Sequence, residues 1–354
     1  SAQNCVTKGV SAQISEAKGL VVKSGNFIQF VNPMVGTDFH GHTFPGATYP
    51  FGMMQLSPDT RLSGWDGCSG YHYSDTVIFG FSHTHLSGTG ASDYGDILIM
   101  PVSNYPLTLG IKNEDYSSKF SHSKERATPG YYEVFLEKWG VKTKLTTGKR
   151  SGIHYYAYTK TGAQPGVVID LTHRDIVIDS KFEVVGNNVV KGYRRSRMWA
   201  KDQIVYFYIE FSQPGKGVLY KDDYPAGMVN TISGKNCKLY FEFFSSSYVR
   251  NEGNVVMAMI GISSVSEENA KMNLQAEIPA WDFDALLKST QGAWNEYLGK
   301  IDVSFEKISA QTAVNPADTK KRENQINTFY TALYHSAIHP NLYSDVNGEY
   351  RGMD

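Results

Sequence analysis

Val184 to Tyr193 reads VVGNNVVKGY, two β-branched arms around Gly186, Asn187 and Asn188. Glycine and asparagine tolerate the left-handed backbone that a tight hairpin turn demands, so this stretch predicts two antiparallel strands. The same texture extends outward on both sides. Tyr132, Val134 and Leu136 alternate with Glu133, Phe135 and Glu137, and Val141, Thr143, Leu145 and Thr147 continue that pattern. IHYYAY (153–158), GVVIDL (166–171), DQIVYFYIEFS (202–212), KLYFEFFSSSY (238–248) and NVVMAMIGISSVS (254–266) are rich in the β-branched and aromatic residues that suit a pleated surface. Many strands broken by Gly, Asn and Asp, with little helix between them, predict an antiparallel β-sandwich from about residue 26 to 266.

The periodicity changes at Ser266. SEENAKMNLQAE (266–277) has helical spacing, and in WDFDALLKSTQGAWNEYLGK (281–300) Phe283, Leu286, Leu287, Thr290, Trp294, Tyr297 and Leu298 recur mostly at steps of three and four. Asp282 is the expected N-cap and Gly299 the expected stop. After a polar segment, DTKKRENQINTFYTALYHSAIHP (318–340) places Ile326, Phe329, Tyr330, Leu333 and Ala337 on one stripe, in a helix expected to end at Pro340. That stripe needs a partner, which predicts an incomplete helical domain. The organisation expected is therefore an N-terminal extension (1–25), a sandwich (26–266), a helical linker (267–315) and the start of a helical domain (316–354).

At 354 residues the chain exceeds what one compact core holds, so two domains are expected. A formal charge of −1 leaves no broad basic field for nucleic acid or an anionic membrane. The longest apolar run, Val255 to Ile262, falls far short of the ~20 residues that span a bilayer. The 23 tyrosines suit carbohydrate binding and β-sheets equally. Cys5, Cys68 and Cys237 are widely spaced and form no zinc-ribbon pattern, so they read as free thiols with room for one disulfide. The first residues, SAQNCVTKG, lack the basic start and apolar core of a signal peptide; they read as a mature end left after one is removed, or as an artificial boundary.

Phe51 to Asp96 concentrates three histidines, five aspartates, one tryptophan, one cysteine and eight glycines, a mixture poor for a core and good for a site. His83 and His85 stand two apart, on one face of a strand if the strand continues, with Asp93 and Asp96 near in sequence. Without a third spaced ligand this pair is a weak metal signal, and histidines that hydrogen-bond loops or a ligand fit better. Cys68, Ser69 and His72 are too close in sequence for a Cys–His dyad, and no GxSxG elbow or phosphate-binding loop occurs. Trp65 followed by Asp66 puts a flat apolar face beside a strong acceptor, the combination that grips a sugar; a buried Trp beside an Asx-turn is the competing reading. The terminal DVNGEYRGMD carries Arg351 and Asp354 as further polar candidates.

VNPMVGTDFHGHTFPGATYPFGMMQLSPDT (31–60), GYHYSD (70–75), FSHTHLSGTGASDYGDILIMP (81–101), GISSVSEENA (261–270), FYTALYH (329–335) and HPNLYSDVNGEYRGMD (339–354) resemble, in order, the N-terminal half of a glycoside hydrolase family 92 α-mannosidase. The resemblance runs from about Phe27 to Asp354. It implies a β-sandwich packed on an (α/α)6 barrel of which this chain holds only the start. It implies calcium-dependent, exo-acting hydrolysis of terminal α-mannose with inversion, in an exported protein of the periplasm or exterior. The catalytic acid and base and most calcium ligands are expected beyond residue 354, which would leave this chain inactive alone and dependent on the missing helical domain as its partner. What the resemblance implies here is substrate binding by Trp65, Asp66, Cys68, His85, Arg351 and Asp354, towards α-mannoside glycans. The alternatives are a stand-alone carbohydrate-binding sandwich without hydrolase activity and a metal-dependent hydrolase using His83 and His85.

Overall fold

The computed structural model describes residues 25–106, 111–244, 254–303 and 316–352. The hairpin forms as read: Ile176–Val185 pairs with Val189–Arg197, Val185 lies opposite Val189, and Gly186 takes φ +64°. These strands belong to a nine-stranded sheet ordered Thr231–Gly234, Ile176–Val185, Val189–Arg197, Gln203–Phe211, Asn254–Ser263, Ser151–Tyr158, Val141–Thr147, Tyr131–Leu136 and Glu125–Thr128. An eight-stranded sheet has Leu98–Ser103, Pro165–Asp170 and Cys237–Phe243 adjacent at its centre, and the strand pairs of both sheets are antiparallel. Tyr131–Leu136 buries every second residue, as a strand with one face on a core must.

The two sheets pack face to face. Phe211 of the nine-stranded sheet has its ring centroid 4.7 Å from that of Phe241 and 5.1 Å from that of Phe243, both in the eight-stranded sheet. A polar tie crosses the same core: His83 Nε2 lies 3.0 Å from Nε2 of His154, on Ser151–Tyr158. Burial depresses both imidazoles, His83 to about 4, so near neutral pH the tie is an uncharged hydrogen bond.

Three helices follow the sandwich and pack onto it. Glu267–Glu277 starts at Ser266, whose side chain accepts from the Asn269 amide, and lies on the nine-stranded sheet. Gly261 permits that approach, since a Cβ there would stand 2.1 Å from the Ala270 carbonyl oxygen. Phe283–Leu298 is capped by Asp282 and followed by Gly299, as expected from sequence. It buries Trp294, whose indole N–H donates to the Thr48 carbonyl at 2.7 Å. Pro316–His335 packs Tyr334 on Trp294 (4.5 Å) and Tyr330 on Phe27 (5.4 Å).

Two expectations need correction. The apolar stripe of the last helix already has its partner, because Ile326, Tyr330 and Ala337 are buried within this chain's own core. The helix also stops at His335 rather than Pro340: the chain turns there, and the Ala337 carbonyl accepts from the Phe51 amide at 2.7 Å. The following segment is fastened by Asp345, whose carboxylate accepts from Ser263 (2.6 Å), Asn269 (2.8 Å) and Asn273 (2.6 Å).

Candidate functional site

Gln55–Asp59 of the eight-stranded sheet leads into a loop where Trp65–Gly67 forms a single 3-10 turn. Gly64 enters the turn at φ +88°, a conformation open to glycine. Trp65 is 58% exposed, which removes the buried-Trp reading. Its indole packs against His40 (4.9 Å between centroids) and edge-on against His42 (4.3 Å). Asp66 Oδ1 lies 2.7 Å from His40 Nδ1 and 3.4 Å from His42 Nε2. The hydrogen bond from His40, helped by a weaker one from His42, holds the Asp66 carboxyl below its usual range against the opposing effect of desolvation. Two loops thus present a flat ring, an ionised carboxylate and two imidazoles at one place on the surface.

Cys68 and His85 sit beneath that surface, 3% and 2% exposed. Burial raises the Cys68 thiol, so it stays protonated near neutral pH. Cys68 and Cys237 are free thiols, and Cys5 lies outside the described residues. His85 is engaged on both ring nitrogens, with the Gln55 carbonyl at 2.9 Å and with Ser82 Oγ (3.0 Å) and Asp59 Oδ1 (3.2 Å). Asp59 is fully buried. Burial would raise its carboxyl, but the neighbouring His85 and His173 hold it well below the usual range. Gly70 fits over this carboxylate because it lacks a side chain: a Cβ would meet Asp59 Oδ1 at 2.0 Å.

His83 and His85 do not share a metal. The strand Gly80–Ser82 ends before them, so the alternation that put both on one face no longer applies. His83 turns into the core towards His154 and His85 towards Asp59. Asp93 and Asp96 complete no site with them; Asp96 pairs with Arg194, and Asp93 Oδ2 accepts from the Ala200 amide at 2.9 Å.

Arg351 joins a different group, 2.9 Å from Asp202 Oδ2, where Arg195 also binds. Hydrogen bonds from Arg195 first, and then Arg351, hold Asp202 at about 2 despite some desolvation. No contact of the described residues links Arg351 directly to Trp65. Asp354 lies outside the described residues.

The residues that sequence reading missed are His40, His42, Asp59, His173 and Arg174. Arg174 donates from Nη2 to the Cys68 carbonyl (3.1 Å) and to Ser92 Oγ (2.7 Å), joining the Trp65 loop to the loop before Asp96. A signal for it existed: Thr172-His173-Arg174-Asp175 is a polar run just after a buried strand.

Among the described residues, one group of three His, Cys, Asp or Glu side chains has its ligand atoms within 4.8 Å of one another: His40, His42 and Asp66. No helix of the described residues is long and apolar enough to cross a membrane.

Residues 30–263 match the glycosyl hydrolase family 92 N-terminal domain, and residues 269–354 match the catalytic domain of that family. A family GH92 α-mannosidase from Bacteroides thetaiotaomicron is 32% identical at a TM-score of 0.81, over 92% of this chain and 43% of its own. An inverting GH92 mannosidase from Bacteroides thetaiotaomicron VPI-5482 is 25% identical at a TM-score of 0.77, over 94% of this chain and 43% of its own. An uncharacterized secreted glycosidase of Arthroderma benhamiae is 26% identical over 91% of this chain and 43% of its own length. The chain therefore spans less than half the length of these relatives. Two matches in the family's own order, covering almost all of the described sandwich and helices, place the chain in glycoside hydrolase family 92.

Proposed function

We propose that this chain is the sugar-holding part of an exported α-mannoside hydrolase. The observation that carries the reading is the Trp65–Asp66 surface: an exposed indole, fixed by two histidine rings, beside an ionised carboxylate. An indole face covers the C–H face of a pyranose, and a carboxylate accepts from its hydroxyls. Asp66 Oδ2 has no protein partner among the described residues and is the oxygen left for that role. Cys68, His85, Asp59 and Arg174 act on a ligand indirectly, by holding the loop in place. The mannosidase and secreted relatives support the substrate class and the exported location.

Inverting hydrolysis needs an acid and a base roughly 6.5–9.5 Å apart. We assign neither to this chain and expect both, with most calcium ligands, in residues past 354. Calcium takes six to eight oxygens, whereas His40, His42 and Asp66 offer two nitrogens and one carboxylate oxygen. That group does not fit calcium.

The test is steady-state kinetics on an α-mannoside with protein extended to the length of the relatives. Trp65→Ala is expected to lower kcat/KM by the equivalent of about 2–4 kcal/mol. Wild-type kinetics in that variant would move the pocket elsewhere. Tight mannoside binding by the chain alone would favour a stand-alone binding module instead.

A further inference from the structure

We infer that His40, His42 and Asp66 form a binding site for a divalent transition ion of the zinc type. The inference goes beyond the sugar-holding reading and does not depend on it.

The donors come from two loops with little freedom. Gly41, between the histidines, leaves no room for a side chain, since a Cβ would stand 2.2 Å from the Gly36 carbonyl oxygen. The Thr43 amide donates to that same carbonyl at 3.1 Å, and the His42 carbonyl accepts from the Gly88 amide at 2.7 Å. The tight loop turns both imidazoles to one side, where Trp65 packs against each. Asp66 follows Trp65, so the residue that orients the rings also delivers the third donor.

Three ligand atoms within 4.8 Å of one another are placed for an ion. Both imidazole nitrogens crowd onto Oδ1 of one carboxylate, at 2.7 and 3.4 Å, while Oδ2 of that carboxylate takes no bond from the described residues. Oδ1 has two lone pairs and can accept from both rings when their facing nitrogens are protonated, and the same convergence suits an ion when they are not. A shared ion gathers one atom from each ligand. Zinc–ligand bonds of about 2.0–2.2 Å in tetrahedral geometry put ligand atoms ~3.3–3.6 Å apart. The His42–Asp66 spacing of 3.4 Å lies in that range, and the His40 side chain, 67% exposed, can swing outward from 2.7 Å to reach it. Two imidazoles and one carboxylate select zinc, cobalt or nickel over magnesium or calcium. Three protein ligands leave a tetrahedral ion one further position, for water or a ligand oxygen.

The experiment is calorimetric titration of chelator-treated, dialysed chain with zinc, followed by cobalt(II) loading and visible absorption. One zinc per chain is expected, with the absorption bands of a low-coordinate cobalt site. His40→Ala and Asp66→Asn should each weaken zinc affinity by roughly tenfold or more, while His339→Ala, at an exposed position elsewhere, leaves it unchanged. His40 is exposed enough that its loss should not unfold the protein, which thermal melts of each variant would check. Absence of zinc binding would overturn the proposal, as would equal binding in wild type and both ligand variants, the mark of an adventitious ion only. Calcium displacing zinc at equal concentration would overturn the assigned ion class.

Discussion

At the residue scale, Asp175 shows how burial without a donor is felt. Neither of its carboxylate oxygens meets a donor from another kind of group, and the neighbouring Asp93 carboxyl lies close enough to share a proton with it. Burial, reinforced by Asp96 and Asp93 and only partly relieved by Arg194, pushes the carboxyl up to about 7. The folded state therefore holds a proton that the unfolded chain has released between about pH 4 and 7, and stability falls as pH rises through that window. Asp175→Asn keeps the shape and tolerates the left-handed backbone at φ +57°. It should stabilise the protein by about 2 kcal/mol at pH 8, half the equivalent of the full shift because the side chain is partly open to water. Little gain is expected at pH 4. Urea denaturation at both values checks this, and an equal gain at each would reject it. Asp175 and Arg174 stand in a polar run that the sequence displays, but what they meet does not show there. Their neighbours come from other loops; the Arg174–Cys68 contact, for one, joins residues 106 apart. Trp65 and Asp66 were legible because the turn that displays them is local and glycine-marked.

At the scale of elements, the helices show what caps can and cannot announce. Asp282 and Gly299 bounded their helix correctly because both act within one turn of it. The end of the last helix was misplaced because the decision lies at Phe51, almost the whole chain away. Asp345 is the sharper case. Its carboxylate gathers Ser263, Asn269 and Asn273, fastening the final segment to the Glu267–Glu277 helix and to the end of a central strand. Asp345→Ala strands three buried donors at once and should cost about 2–3 kcal/mol. A melting curve superimposable on wild type would show that water replaces the carboxylate without loss.

For the whole molecule, the sandwich was legible because period-two alternation survives along strands such as Gln203–Phe211. The order of strands was not, since it depends on pairings such as Leu98–Ser103 with Pro165–Asp170 that no local pattern encodes. The change of texture at Ser266 falls at the junction of the two family matches, and the core runs across it. Trp294, Leu298, Tyr330 and Tyr334 share one core cluster with Leu145 and Phe44 of the sandwich. A chain cut after residue 266 should therefore lose its fixed near-ultraviolet signal and bind a hydrophobic dye, while the intact chain does neither. A sharp native melt in the shortened chain would refute this.

The same shared core bears on how such a protein changes over time. The two family domains meet between residues 263 and 269, yet Trp294 in the second donates its indole N–H to Thr48 in the first. Exchange of everything past that junction by recombination would bring a foreign underside to the sandwich, and few donors would fit. The halves are thus bound to be inherited together, and a substitution at Trp294 should be found in descendants beside a compensating change near Thr48.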